Sequence, residues 1–175
     1  MRNRKGSSIA ELPVAIMILI FALLFPLADL CTIGLRTATV FAAARNAAHH
    51  AGRAKSFQEN GSSTELSAKN TAINYALATR DSCLKGTEIT SNDVSLEIVG
   101  TPFDNKKTPF RSAKPLTETK ADDYVYQIEV KVTGHVQPLV LLNKGLLGDI
   151  PGLTQPLTIC AVCREFCEHP DGLSM

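Results

Sequence analysis

From Leu12 to Ala28 the chain carries no charged residue, and Leu12, Val14, Ile16, Met17, Ile18, Leu19, Ile20, Phe21, Leu23, Leu24, Phe25 and Leu27 make the run almost continuously apolar. Extended by Leu30 to Leu35 past a single Asp29, it approaches the roughly 20 residues that cross a hydrocarbon core. This pattern predicts a transmembrane helix. Arg2, Arg4 and Lys5 precede it with no acidic residue among them, so the positive-inside rule places the N-terminus in the cytoplasm and the remainder outside. Pro13 and Pro26 fall inside the run, which a bilayer helix tolerates where neighbouring groups re-satisfy the freed carbonyls. A cleaved secretory signal fits less well. Its apolar core spans about 7 to 15 residues, whereas here the nearest small-x-small site, Ala42 to Ala44, lies far beyond the run. Lipoprotein processing at Cys31 is disfavoured by Leu30 in front of it.

The rest of the composition excludes more than it specifies. With 18 Lys+Arg against 17 Asp+Glu in 175 residues, the net charge is +1, too little for the cationic surface that holds nucleic-acid phosphates. The length suits one domain with an appendage. The divisions expected are a basic cytoplasmic leader over residues 1–6, a transmembrane and extended helix over 7–55, and an extracytoplasmic domain over 56–175.

After the span, Thr37 to Gly52 is dominated by alanine and interrupted by no proline, so the helix is expected to continue. A single rod from Ser7 to Arg53 extends roughly 70 Å at 1.5 Å per residue and projects well beyond a bilayer. Its small side chains, with Ile33, Val40 and Phe41, suit close packing on a neighbour or on the protein's own domain. Ser62-Ser63-Thr64-Glu65 reads as a capping box in front of Leu66, opening a second, amphipathic helix with Leu66, Ile73, Ala76 and Leu77 on one side. Val94, Leu96 and Ile98 alternate with polar residues, as do Tyr124, Tyr126, Ile128, Val130 and Val132, which predicts two half-buried strands. Between them, Gly100 to Asp123 reads as a long polar loop. Asn143 to Pro156 reads as a second excursion before a third strand over Leu157 to Val162. The expected fold is α+β: a long N-terminal transmembrane helix, then a small antiparallel sheet packed against a second helix.

Glu11 stands directly before Leu12 at the cytoplasmic edge of the span, where an ionised carboxylate in hydrocarbon costs at least ~2.5 kcal/mol. It is preceded by Arg4-Lys5-Gly6-Ser7-Ser8-Ile9-Ala10, so the glutamate is the fifth residue after the glycine of a short basic leader. That arrangement resembles the type IV pilin leader. The wider pattern is similar to the TadE-like minor pseudopilins of the tight-adherence (Tad) pilus systems, including their C-terminal succession of strands and a Pro-Gly-rich loop. The resemblance implies a single-pass, membrane-anchored subunit of an adhesive pilus in the bacterial inner membrane, and an enzyme is not expected, because no nucleophile-base-orienter set, phosphate loop or carboxylate pair emerges from the sequence. Its implied partners are the lipid bilayer, a prepilin peptidase and other pilin and pseudopilin subunits. The peptidase cut would fall between Gly6 and Ser7, and Glu11 would pair with the free α-amino group of a neighbouring subunit, removing two unpaired charges from a low-dielectric bundle.

Five cysteines divide unevenly. Cys31 belongs to the span or its outer edge and reads as a small buried hydrophobe. Cys83, Cys160, Cys163 and Cys167 would lie outside, where an even number favours two disulfides, one of them tying the end of the second helix to the last strand. Cys160-Ala161-Val162-Cys163, with Cys167 and His169 close behind, is also a metal or redox pattern, but no second CxxC and no βα junction accompany it. No cofactor is expected. His49 and His50 are expected to face solvent on the alanine-rich rod, and Asn60-Gly61-Ser62 matches a glycosylation sequon. Two further functional classes stay open: an unprocessed membrane-tethered binding module using the Gly100 to Asp123 loop, and an extracytoplasmic metal or thiol-redox protein.

Overall fold

The computed structural model describes residues 7–58, 67–83, 85–104, 106–120, 122–140 and 149–174, with side chains from Leu12 onward. The predicted capping box at Ser62 to Glu65, Leu66 and the sequon at Asn60 lie outside the described residues.

Helix α1 runs unbroken over Ser7–Gly52, 46 residues with Pro13 and Pro26 inside it, about 70 Å of continuous helix. It is long and apolar enough to cross a membrane. Its two halves differ sharply in what surrounds them. Large side chains from Leu12 to Leu27 are between 45% and 65% exposed, whereas Val40, Ala43, Ala44, Ala47, Ala48 and Ala51 are all but inaccessible. The rod therefore does not project freely above its apolar half, because its second half is the central core element of the domain. Alanine makes this possible: small side chains at i, i+3 and i+4 leave a flat face on which other backbones can approach closely.

Helix α2, Ala68–Ser82, starts behind Ser67, whose hydroxyl accepts from the Asn70 backbone N–H, an N-cap that satisfies one of the first turn's orphan donors. Its buried Ala68, Ala72 and Ala76 meet the alanine face of α1.

Five strands form one antiparallel sheet: β1 Thr87–Glu88, β2 Val94–Pro102, β3 Phe110–Ser112, β4 Tyr124–Val136 and β5 Leu157–Phe166. β4 is its axis. One of its edges pairs with β2, from Val94↔Val132 to Pro102↔Tyr124, and above that with β1 at Thr87↔Val136; the other edge pairs with β5, from Gln127↔Phe166 to Val136↔Leu157. Side chains alternate across the sheet, so Leu96, Ile98, Ile128, Val130, Val132 and Ala161 turn towards the helices and are buried.

The predicted loop from Gly100 to Asp123 is more ordered than its composition suggests. β2 runs on through Pro102, and β3 pairs Phe110 with Gly100. The Phe110 ring lies against Gly100 so closely that a Cβ there would sit 2.2 Å from it, and Phe110 meets Tyr124 edge-on at 5.3 Å between centroids. One glycine and one aromatic residue carry no period, which is why the strand escapes a pattern search.

The fit of α1 on the sheet rests on two close approaches. A Cβ on Gly134 would fall 2.5 Å from Val40 Cγ2, and one on Gly52 would fall 2.7 Å from the Phe166 carbonyl oxygen. Gly134 lies at the β4 C-terminal end and Phe166 at the β5 C-terminal end, so α1 runs antiparallel to β4 and parallel to β5. Gly134→Val is expected to destabilise the protein by about 1–3 kcal/mol through overpacking. Gly34→Ala, where no atom lies within 4 Å of the added Cβ, should cause no loss; thermal melts of the full chain in detergent compare the two.

Candidate functional site

The first half of α1 is a cylinder of exposed apolar side chains, with Phe21 and Phe25 stacked at 5.5 Å between ring centroids. Ser7 is the first residue of the helix and Glu11 lies in its second turn. Gly6 and the leader before it lie outside the described residues, as does the environment of the Glu11 side chain.

A polar collar closes the apolar cylinder at its outer end. Asp29, 2% exposed, accepts the backbone N–H groups of Leu139 at 2.6 Å and Val140 at 3.1 Å through one carboxylate oxygen. Two turns further on, Arg36 donates to the Gln137 carbonyl, and its guanidinium lies under Gly86, where a Cβ would come within 2.4 Å of Cζ. Gly86 has φ +102°, a conformation glycine adopts without penalty. Between the two polar contacts, the Ile33 side chain reaches towards Gly152. The chain after β4 is thus stitched to α1 by a carboxylate below and a guanidinium above. In sequence Asp29 looked like a blemish in an apolar run extending to Leu35. Its partners are backbone groups about 110 residues away, and no local signal announces them.

The outer face of the sheet carries a second charge cluster. Glu97 and Glu129 are direct cross-strand neighbours, an unfavourable pairing by itself. Arg111 Nη1 lies 2.8 Å from Glu129 and 3.5 Å from Glu97, and Arg164 Nε donates to the other Glu129 oxygen. The nearly buried Glu129 carboxylate is therefore held by two guanidiniums. Alternation places Glu97 and Glu129 on the polar face but gives no sign of the two arginines, Arg111 standing in the predicted loop and Arg164 beyond the predicted third strand.

The cysteines do not form the expected framework. No sulfur–sulfur bond joins any two of the five in this structure. Cys160 is opposite Thr133 on the exposed face of β5, whereas Cys163 is opposite Val130 on the core face, so the two residues of the CxxC point to opposite sides of one strand. Cys167 continues the ladder, its N–H bonded to the Tyr126 carbonyl. At about 3.3 Å per residue, Cys160, Cys163 and Cys167 are separated by some 10 to 23 Å, beyond the ~4.4–6.8 Å Cα spacing that a disulfide requires. Two bridges within one chain among Cys83, Cys160, Cys163 and Cys167 are therefore excluded by geometry; at most one, from Cys83 to a member of the strand, is left. The same separation keeps the CxxC from chelating one ion. Among the described residues no three His, Cys, Asp or Glu side chains converge.

His49 is exposed as expected, but His50 is not free in solvent. Its ring stacks on Tyr75 at 3.6 Å between centroids. Partial burial, aided by the neighbouring His49 and Arg53, lowers its pKa below the ordinary 6.5. The folded chain therefore binds this proton less readily than the unfolded one, and stability falls as pH drops through that value. Replacing His50 by phenylalanine should flatten the pH dependence of the melting temperature between about pH 7 and 5.

A cavity of about 410 Å³ is lined by Phe57, Lys69, Val94, Lys114 and Pro115 among others, with no carboxylate among its described lining residues. No protein-family model, curated protein or solved structure matches the chain.

Thiol chemistry follows from these positions. Burial raises the Cys167 pKa, which lowers its thiolate fraction. Maleimide labelling of the native protein near neutral pH should modify Cys83 and Cys160 well before Cys167. Oxidation followed by peptide mass analysis should yield no Cys160–Cys163 linkage.

Proposed function

We propose that this chain is a membrane-anchored minor pseudopilin of the TadE-like kind, taking part in assembly of a Tad-type adhesive pilus. The observation that carries the reading is the division of α1. The bare apolar helix from Leu12 to Ala28 continues, without a joint, into a half locked between a sheet and a second helix. An apolar cylinder exposed on all sides must be covered by something apolar. Lipid covers it in the membrane, and the same surface can be covered by other helices in a bundle, so one segment serves storage and assembly alike. Leu12 to Ala28 then crosses the bacterial inner membrane, with the leader cytoplasmic and the α+β domain outside.

In this reading a prepilin peptidase cuts between Gly6 and Ser7, freeing an α-amino group at the start of α1. Glu11 lies one turn further along the same helix. In a staggered bundle it accepts that group from a neighbour, which neutralises a carboxylate that would otherwise cost at least ~2.5 kcal/mol inside hydrocarbon. The domain contributes shape and contacts, and no catalytic step is assigned to it.

Co-expression with a prepilin peptidase, followed by mass measurement of the intact protein, tests the assignment. Loss of Met1 to Gly6 and a new N-terminus at Ser7 are expected. Glu11→Ala should leave membrane insertion intact while abolishing cross-linking to pilin subunits. If the leader is retained in the presence of an active peptidase, the subunit reading fails and a permanent tether takes its place.

A further inference from the structure

The domain hangs lower on α1 than a domain standing clear of a bilayer can. Val140 lines a groove of about 270 Å³ together with Phe21, Phe25, Pro26 and Asp29, so the chain following β4 reaches down the helix as far as Phe21. From Ser7 to Phe21 is only about 22 Å of helix, and to Pro26 about 30 Å. A hydrocarbon core is itself about 30 Å thick. If α1 crosses the bilayer from its first residues, the groove and the residues around it lie at or inside the outer edge of the hydrocarbon. Tilting the helix only draws them deeper.

The surface at that level is built accordingly. Leu139, Val140 and Ile150 are 57%, 40% and 39% exposed, and Val140 adjoins the exposed apolar surface of α1 at Phe21 and Phe25. Irregular backbone is tolerated at such depth only where its polar groups are satisfied internally. The backbone donors here are, one by one. The N–H of Gln137 goes to the Gly86 carbonyl, those of Leu139 and Val140 to Asp29, that of Ile150 to the Thr154 hydroxyl, and those of Gly152, Leu153 and Thr154 to carbonyls within the same turn. Pro138 and Pro151 have no N–H to satisfy. Across 137–140 and 150–154, no backbone donor is left to solvent, although Leu139, Val140 and Ile150 are open to it.

We infer that this rim, Leu139 and Val140 on one side and Ile150 on the other, is a second bilayer contact that beds the base of the domain in the outer acyl-chain and headgroup boundary. The partner is lipid, and the contact fixes the height and rotation of the domain over the membrane. The inference rests on the proposed crossing of the bilayer by Leu12 to Ala28.

The chain contains no tryptophan, so single reporters can be placed in the full-length protein. Leu19→Trp probes the span, Leu139→Trp and, independently, Ile150→Trp probe the rim, and Phe166→Trp probes the far end of the domain. Each is reconstituted at high dilution in phosphatidylcholine vesicles whose acyl chains carry bromine either near the headgroup or near the methyl end. Leu19→Trp should be quenched best by the deep bromines. Both rim reporters should show blue-shifted emission and lose most of it to the shallow bromines, while Phe166→Trp should be unaffected. If the span reporter is quenched and both rim reporters behave like Phe166→Trp, the domain stands clear of lipid and the inference is overturned while the span survives. Blue-shifted rim emission that bromine does not touch also overturns it, by showing that protein covers the rim. If Leu19→Trp itself escapes quenching, the crossing on which the inference rests has failed.

Discussion

The contact on which everything else depends is the seam between the alanine face of α1 and the core face of the sheet. Val40, Ala43, Ala44, Ala47, Ala48 and Ala51 are essentially inaccessible, and Gly134 provides the flat patch of β4 that lets Val40 settle. Alanine burial stabilises modestly per residue, at about 25 cal/mol for each Å² of apolar surface removed from water. The number of such contacts along one rigid helix, and the large aliphatic side chains facing them from β2 and β4, are what make the seam hold. Because α1 is continuous, the seam also transmits the position of the bare half of the helix to the whole domain. There is no hinge between them.

That rigidity explains the collar. A loop after β4 that merely brushed α1 would let the base of the sheet splay away from the helix. Asp29 and Arg36 fix it at two heights on the same helix, each using its charge to satisfy backbone groups that have no strand partner. Hydrogen bonds to charged groups are among the stronger ones, worth about 1.5–3 kcal/mol each in net terms. A carboxylate that is 2% exposed is tolerated because two N–H donors face it. On the opposite face of the sheet, Glu129 follows the same logic with two guanidiniums in place of amides, and the paired glutamates at that level draw β3 and β5 towards β4.

Much of the fold could be read from periodicity. The second helix and the strands around Val94 and Tyr124 are legible because their apolar residues recur at 3.6 or 2 residues, and the long helix because its apolar run passes directly into an alanine-rich stretch free of proline. The elements that escaped are those held by single long-range contacts: β1, two residues long beside Val136; β3, held by Phe110 over Gly100; and the docking of 137–140 on Asp29. The cysteine pattern misled for a related reason. Counting and spacing treat Cys160, Cys163 and Cys167 as a cluster, but in a strand odd spacing reverses the face and even spacing adds distance. Only once β5 is known to be extended do the three residues become strangers to one another.

The direction of α1 across the sheet divides the domain into two ends of different character. The helix leaves its bare half at Asp29 and meets first the end of β4, the start of β5 and the residues beside them, 137–140 and 150–155. It reaches the end of β5 only at Gly52, 23 residues or roughly 35 Å further along. Among the described residues, 137–140 and 150–155 are therefore the part of the domain nearest the apolar cylinder, and the chain between β2 and β4 is at the other end, with the aromatic group of Phe110, Tyr124 and Tyr126 there. A binding role for the Gly100 to Asp123 loop is thus compatible with assembly through the helix, because the two surfaces are separated by the length of the sheet. Contacts made at the far end would leave the apolar half of α1 unobstructed, and the rigid seam between them would carry their geometry without requiring any rearrangement of the core.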